Sequence, residues 1–230
     1  MEIRFAPHTT TALISCLNPS AIIFDWSGTL VDDLPPVLDA TNAVLVHAGK
    51  PPLSREGFRR TFRLPYTKFY EEMTPHVPMH ELEAVFRRAF KESREAVTLL
   101  PHAREFVEYA ASRRLRLFVL SSAPQDAVEE QARTFGLHGY MERIHADVPD
   151  KSAVIHELLA HHGIEPDRTL YVGDMVHDID TARAAGIFSV AVLTGYDYAE
   201  TLEAAAPRLI LPHLGRLQDW MEEQFPAILT

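Results

Sequence analysis

The sequence contains a single cysteine, Cys16, among its 230 residues. One cysteine excludes an intrachain disulfide and a zinc site built from several thiolates. A lone cysteine in a segment rich in leucine and isoleucine is typical of a small buried apolar side chain, and a catalytic thiol is the less favoured interpretation. The chemistry of this protein is therefore expected to depend on other residue types.

Long apolar runs are also missing from the sequence. No stretch approaches the roughly 20 apolar residues of a membrane-spanning helix, so we expect no membrane partner. The first 20 residues lack a basic start and a small-residue cleavage site, so we predict no signal peptide and a cytoplasmic location. Residues 1–18 are expected to form either a short added strand or an arm over the core.

Basic residues are few relative to acidic ones. The chain has 22 Lys and Arg against 32 Asp and Glu, a formal charge of −10 at pH 7. This is the wrong sign for binding a phosphate backbone, so we expect no nucleic-acid partner. The length predicts one large domain, or one domain with a smaller insertion, and the composition leaves the oligomeric state unknown.

The most informative stretch is AIIFDWSGTLVDD, residues 21–33. Its apolar start is too short for a helix and has two β-branched residues, so it predicts a buried strand that ends at Asp25. Gly28 allows the chain to turn sharply after that strand. An acidic residue in this place lies where open α/β sheets build their ligand sites.

Further strands and helices alternate along the second half of the chain. Apolar runs predict strands at residues 115–120, near 144, at 169–172, 187–193 and 209–211, with helices of 10 to 15 residues between most of them. This alternation is typical of a parallel sheet covered on both faces, so the expected fold class is a doubly wound, Rossmann-like α/β sheet.

Residues 34–97 have a different character. Apolar residues recur there at helical spacing, and prolines interrupt the pattern without any convincing strand. We therefore expect a small all-α cap domain at residues 34–97, inserted into an α/β core formed by residues 1–33 and 98–230.

Polar residues follow three of the predicted strands: Asp25, Ser121 and Asp174. Because the carboxyl ends of parallel strands point the same way, these side chains are expected to converge, with Lys151 and Asp178 entering from helix starts. Clustered carboxylates suit Mg2+, and the hydroxyl and ammonium groups suit a phosphate bound beside it. A carboxylate placed in line with phosphorus can attack it and form an aspartyl phosphate.

These residues resemble the four motifs of the haloacid dehalogenase superfamily. The first is a strand followed by Asp-x-Asp-x-Thr/Val, the second a strand ending in Ser or Thr, the third a Lys or Arg, and the fourth Gly-Asp-x-x-x-Asp. The matches in motif order are Asp25, Ser27 and Thr29; Ser121; Lys151; and Gly173, Asp174 and Asp178. The helical insertion is similar to that of the phosphoglycolate phosphatase, phosphoglucomutase and phosphonoacetaldehyde hydrolase branches.

The resemblance implies a Mg2+ cofactor and a set of site residues. Mg2+ would be bound by the side chains of Asp25, Asp174 and Asp178 and by the backbone carbonyl of Ser27. Asp25 would be the nucleophile, and Ser121 and Lys151 would stabilise developing charge. Substrate contacts are expected from Ser27, Gly28 and Ser122 in the core and from Arg63 and Lys68 in the cap. The two cap residues belong to a basic and aromatic cluster that is otherwise interpreted as a solvated face.

Ser27 departs from the family pattern, because family phosphatases carry an aspartate there that protonates the leaving group and later activates water. A serine hydroxyl cannot take that role, which is generally worth roughly 10²- to 10⁴-fold. The expected function is a Mg2+-dependent phosphatase for a small phosphorylated metabolite. The alternatives are C–P cleavage through an imine at Lys68, and a catalytically weak homologue that binds a phosphorylated ligand.

Overall fold

The computed structural model describes residues 4–5 and 17–226. Within these ranges the centre of the fold is a seven-stranded sheet with the order β1-β9-β8-β7-β2-β5-β6, parallel except for β1 at one edge. Two further strands, β3 and β4, pair antiparallel as a separate ribbon. The nine strands are Arg4–Phe5, Ala21–Phe24, Val31–Asp32, Thr98–Leu99, Arg116–Leu120, Arg143–His145, Thr169–Gly173, Phe188–Val192 and Leu209–Leu211.

Helices α1 to α4 lie between β3 and β4 in the chain, and α5 to α10 lie between or after the later strands. The ten helices of the described residues are Leu34–His47, Arg55–Thr61, Tyr66–Met73, Met79–Glu92, Ala103–Ser112, Gln125–Thr134, Lys151–His162, Val176–Ala184, Ala199–Ala204 and Leu214–Gln224. In the part of the chain that the structure describes, no helix is long and apolar enough to span a bilayer.

The central strand β2 shows why the sheet is covered on both faces. Successive strand residues point to opposite sides, so Ile22 and Phe24 enter one hydrophobic cluster while Ala21 and Ile23 enter another. The first cluster packs against α5 and α10, and the second against α7 and α8. An apolar run without polar alternation is therefore the pattern expected for a strand buried on both faces.

The register of β2 sets the position of the site. Phe24 lies opposite Val119 of β5 on one side and Val172 of β7 on the other. The next residues of all three strands therefore reach the same edge of the sheet at nearly the same level. This confirms the predicted parallel α/β fold and places the ends of β2, β5 and β7 together.

The helices between β3 and β4 have a hydrophobic cluster of their own, formed by Val44, Phe69, Tyr70, Leu82 and Val85. A second cluster joins this helical insertion to loops beside the sheet edge. Since β3 and β4 pair with each other, the chain leaves and re-enters the core at one place. We interpret residues 34–97 as the cap domain on this basis.

The predicted strand positions agree with the structure to within about one residue at each end, and the strand at Leu209–Leu211 agrees at both ends. The ribbon of β3 and β4 was not predicted, because two-residue strands carry too little periodic pattern. Arg4–Phe5 forms an added edge strand beside β9. Cys16 and the rest of the N-terminal arm lie outside the described residues.

Candidate active site

Three buried carboxylates converge at the carboxyl edge of the sheet. Asp25 follows β2, Asp174 follows β7, and Asp178 lies in the first turn of α8. One ligand oxygen from each lies within 4.8 Å of the others. The strand ends and the short β7–α8 turn therefore bring together the acidic residues that the sequence predicts for this site.

A buried lysine connects two of these carboxylates. Lys151 opens α7, and its Nζ lies 2.8 Å from Oδ1 of Asp25 and 2.7 Å from Oδ1 of Asp178. The Lys151 side chain has no exposed surface. A buried ammonium is costly unless it is paired, so the two carboxylates are required to hold this cation in the core.

The pKa values show how strongly the carboxylates interact. Burial raises the pKa of Asp25 to about 7, although the charge of Lys151 lowers it. Burial, with the nearby charges of Asp25 and Asp178, raises the pKa of Asp174 well above its ordinary value. Burial lowers the pKa of Lys151, but the attraction of Asp178 and Asp25 outweighs it, and the net shift is upward.

These residues fit a divalent cation. Three carboxylates and one ammonium leave an excess of negative charge in a buried place, and a hard divalent ion would compensate it. All the donors are oxygens, which Mg2+ prefers. Asp25, Asp174 and Asp178 are therefore the side chains that would hold Mg2+, and the Ser27 carbonyl remains the predicted backbone ligand.

Neighbouring groups fix the orientation of Asp174. The Thr29 hydroxyl donates to Oδ1 at 3.0 Å, and the Tyr196 amide donates to Oδ2 at 2.7 Å. Gly28 has φ +73°, and a Cβ there would collide with the Asp174 carboxylate and lie 2.8 Å from Cα of Gly195. Gly28 is thus required for close packing beneath the carboxylate, and its contact with a substrate stays a prediction.

The hydroxyl of Ser27 donates to a fourth buried carboxylate. Its Oγ lies 2.6 Å from Oδ2 of Asp33, and the Tyr196 hydroxyl donates to Oδ1 of the same residue at 2.8 Å. Burial raises the pKa of Asp33 to about 6, although both hydrogen bonds lower it. A carboxylate therefore lies one hydrogen bond away from the position that Ser27 occupies.

A cavity of about 130 Å³ opens above the carboxylates, between the sheet edge and the helical insertion. Asp25, Ser27, Ser121 and Ser122 line its floor. The Ser122 hydroxyl is buried without a hydrogen-bond partner in the structure. Because a buried hydroxyl without a partner is costly, this group suits an oxygen atom of a bound phosphate.

The structure does not bring the two predicted cap residues to this cavity. Arg63 and Lys68 are exposed, and neither lines it. On helix α3 the cavity is instead lined by Tyr66 and Tyr70, which are separated by one helical turn. Lys68, two residues from each of them, therefore lies on a different face of that helix.

Sequence reasoning missed two residues that shape the site, Asp33 and Tyr196. Asp33 is the last residue of the stretch 21–33, directly after Asp32, and the sequence motifs assign no function to it. Tyr196 lies in the loop after β8, 163 positions from its partner carboxylate. One feature of the sequence could have indicated Asp33: a serine replaces the expected acid at position 27, and an additional acid lies six residues later.

The α/β fold and the buried acidic cluster at its sheet edge together define a class of α/β hydrolases. The chain matches the haloacid dehalogenase-like hydrolase family over residues 22–192. It therefore belongs to that family.

Known relatives agree with this assignment. The chain is 30% identical over 195 residues to a phosphoglycolate phosphatase of Synechococcus elongatus, covering 83% of this chain and 92% of the relative. Its fold is similar to that of a haloacid dehalogenase-like hydrolase from Streptococcus pneumoniae (TM-score 0.75, 21% identity, 88% and 98% of the two chains). A hydrolase from Pseudomonas syringae is similar at TM-score 0.77 and 20% identity, with 89% and 98% covered.

Asp33→Asn is expected to stabilise the protein at neutral pH. Since the folded-state pKa is about 6 and the ordinary value is 3.8, ionisation of Asp33 costs stability as pH rises from about 4 through 6. At pH 7.5 in EDTA, the variant should gain on the order of 1–3 kcal/mol and melt several degrees higher. The gain should disappear below about pH 4. Asp32→Asn is the matched control. If Asp33→Asn melts at the same temperature as the wild type, the raised pKa of Asp33 is contradicted.

Mg2+ is expected to raise the melting temperature of the wild-type protein, because the cation binds the folded state alone. Asp174→Asn should remove most of this increase. The melting temperatures are measured by calorimetry with and without roughly 5 to 10 mM MgCl2, so that a weak site is also occupied. Asp180→Asn is the control, since Asp180 is exposed and paired with Arg183. An equal Mg2+ effect in all three proteins would refute the proposed site.

Proposed function

We propose that the protein is a Mg2+-dependent phosphatase that acts on a small phosphorylated metabolite through an aspartyl phosphate at Asp25. The observation that carries this proposal is the fixed position of Asp25 on the cavity floor. Its Oδ1 is held by Lys151 at 2.8 Å and by the Trp26 amide at 2.7 Å. Both bonds go to the same oxygen, which leaves Oδ2 for attack on phosphorus.

In the first step, Asp25 attacks phosphorus and the bond to the leaving-group oxygen breaks. Lys151 uses two of its three donors on Asp25 and Asp178, so it holds the nucleophile in place and compensates part of the local negative charge. Ser121 and Ser122 supply hydroxyls on the opposite side of the floor. Bound Mg2+ would supply charge neutralisation for the carboxylates and the phosphate. These groups stabilise the charge that develops on the transferred phosphoryl group.

In the second step, water attacks phosphorus, its proton passes through the Ser27 hydroxyl to Asp33, the acyl-phosphate bond breaks and Asp25 is regenerated as a carboxylate. The Ser27 hydroxyl already donates its proton to Asp33, so its lone pairs are available to accept a hydrogen bond from that water. The same orientation prevents Ser27 from donating to a leaving group. The pair formed by Ser27 and Asp33 therefore assists hydrolysis of the intermediate more than its formation.

The relatives support the phosphatase class, since several are named phosphoglycolate phosphatase. C–P cleavage through Lys68 has less support, because that side chain is exposed and does not line the cavity. A binding module without turnover remains the alternative, and it would bind a phosphorylated ligand without releasing phosphate.

Phosphate release from substituted aryl phosphates in Mg2+ tests the proposal. The wild-type rate should rise as the pKa of the leaving phenol falls, because no acid is aimed at the leaving oxygen. Asp25→Asn should abolish release. Equal rates across the series would contradict the inference that no residue protonates the leaving group. Phosphate release by Asp25→Asn at the wild-type rate would refute the role of Asp25 as nucleophile.

A control variant that restores the acid at position 27 needs two substitutions. Ser27→Asp alone would place a second carboxylate where Ser27 Oγ now lies 2.6 Å from Asp33. Like charges at that distance are strongly unfavourable. Ser27→Asp combined with Asp33→Ser avoids this repulsion and should flatten the dependence on leaving-group pKa.

Asp33→Asn is expected to slow hydrolysis of the aspartyl phosphate. The amide would direct an N–H toward Ser27, so the serine proton would turn into the cavity and its acceptor would be lost. The variant should accumulate phosphorylated protein during turnover, seen as a mass increase on the intact chain after acid quenching. Asp32→Asn should show the wild-type level. A variant without accumulation and with unchanged turnover would exclude this role for Asp33.

A further inference from the structure

The upper wall of the cavity is mainly aromatic and aliphatic. The floor residues are polar, but the side chains that the helical insertion contributes are mostly apolar. The apolar and aromatic side chains that line the cavity from the insertion include Val37, Phe62, Tyr66, Tyr70, Phe86 and Phe90. An organic group attached to a phosphate on Asp25 would therefore lie against carbon rather than against polar groups.

This aromatic wall is organised before any ligand binds. The Phe86 and Phe90 rings are stacked with centroids 6.1 Å apart, and Tyr66 meets Tyr70 edge-on at 6.4 Å. Phe62 stacks on Phe58 at 4.7 Å. Rings held by other rings lose little further freedom when a ligand packs on them, which favours apolar binding.

Charge around the cavity disfavours a second anion. Among the described residues that line it, Arg87 is the only Lys or Arg. Arg87 is already paired with Asp147 at 2.9 Å and with Asp126 at 3.8 Å. Glu83, which accepts a hydrogen bond from Tyr66, and Asp147 add two carboxylates to the same lining. A carboxylate on the organic part of a substrate would meet like charge without a free cation.

We propose that the substrate is a phosphate monoester whose organic group is apolar and uncharged, with an aromatic ring as the best fit. This inference rests on the proposed phosphatase function and deepens it. The floor binds the phosphate, and the aromatic wall binds the organic group. Phosphorylated carboxylic acids, which carry a second negative charge, are poor substrates.

A matched pair of substrates isolates the effect of that charge. 4-Ethylphenyl phosphate and 4-(carboxymethyl)phenyl phosphate have similar size and phenol acidity and differ in one carboxylate. With Mg2+, kcat/KM for the neutral compound should exceed that for the carboxylated one at least tenfold, mainly through KM. Phosphoglycolate should be turned over less efficiently than either aryl phosphate. Equal or greater kcat/KM for the carboxylated substrates would overturn the inference.

Two variants on one helix supply the structural control. Val37 lines the cavity from α1, whereas Val46 on the same helix is 59% exposed to solvent. Val37→Lys should raise kcat/KM for the carboxylated substrate and lower it for the neutral one, because it adds the missing cation. Val46→Lys should change neither. Phe90→Ala tests the wall independently and should raise KM for 4-ethylphenyl phosphate.

The outcomes separate the two proposals. If no substrate releases phosphate above the Asp25→Asn blank, the phosphatase function fails. If phosphate is released but the carboxylated compound is preferred, or if Val37→Lys does not change the preference, the function stands and the inference about the substrate is wrong.

Discussion

The buried ion pairs between Lys151 and the carboxylates of Asp25 and Asp178 are the interaction on which the site depends. They join a residue that follows β2 to the first turns of α7 and α8, so three separate elements must meet at one point. A single charge left unpaired there would cost several kcal/mol. The same cluster retains excess negative charge, so the arrangement that fixes the local fold also supplies carboxylates that fit a divalent cation.

Ser27 shows how one local exchange changes the chemistry while the fold is retained. In this chain the carboxylate expected at 27 is absent, and Asp33 supplies one from the adjacent ribbon through a 2.6 Å hydrogen bond. Tyr196 closes the arrangement from the loop after β8. The proton of Ser27 therefore points toward Asp33, and in the proposed mechanism leaving-group protonation and water activation are separate properties of this site.

The parallel α/β fold and the convergence of Asp25, Asp174, Asp178 and Lys151 could be predicted because each depends on local pattern, whereas the order of the strands in the sheet was not predicted. An apolar run ending in an acid specifies a strand and its carboxyl end, and parallel strands bring such ends to one edge. Contacts of the cap could not be predicted in the same way. Arg63 and Lys68 were expected near the substrate from their charge and, for Lys68, from the resemblance to hydrolases that use a cap lysine. Neither lines the cavity, and on α3 the helix phase places Tyr66 and Tyr70 there instead. The Asp33–Tyr196 contact joins residues far apart in sequence, and no periodic pattern indicates it.

The division between core and insertion also limits what similarity to phosphoglycolate phosphatases implies. The buried carboxylates, Lys151 and the floor serines belong to the core, and in the proposed mechanism they act on the phosphate that all substrates share. Discrimination among organic groups depends on the insertion, whose side chains make the upper wall of the cavity. A two-carbon carboxylate would need a cation there, but Arg87 is committed to Asp147 and Asp126. Because the insertion has a hydrophobic cluster of its own, wall residues that belong to it, such as Tyr66, Tyr70 and Phe86, can change without direct contact to the sheet. Relatives can therefore share the chemistry of phosphate removal and differ in substrate.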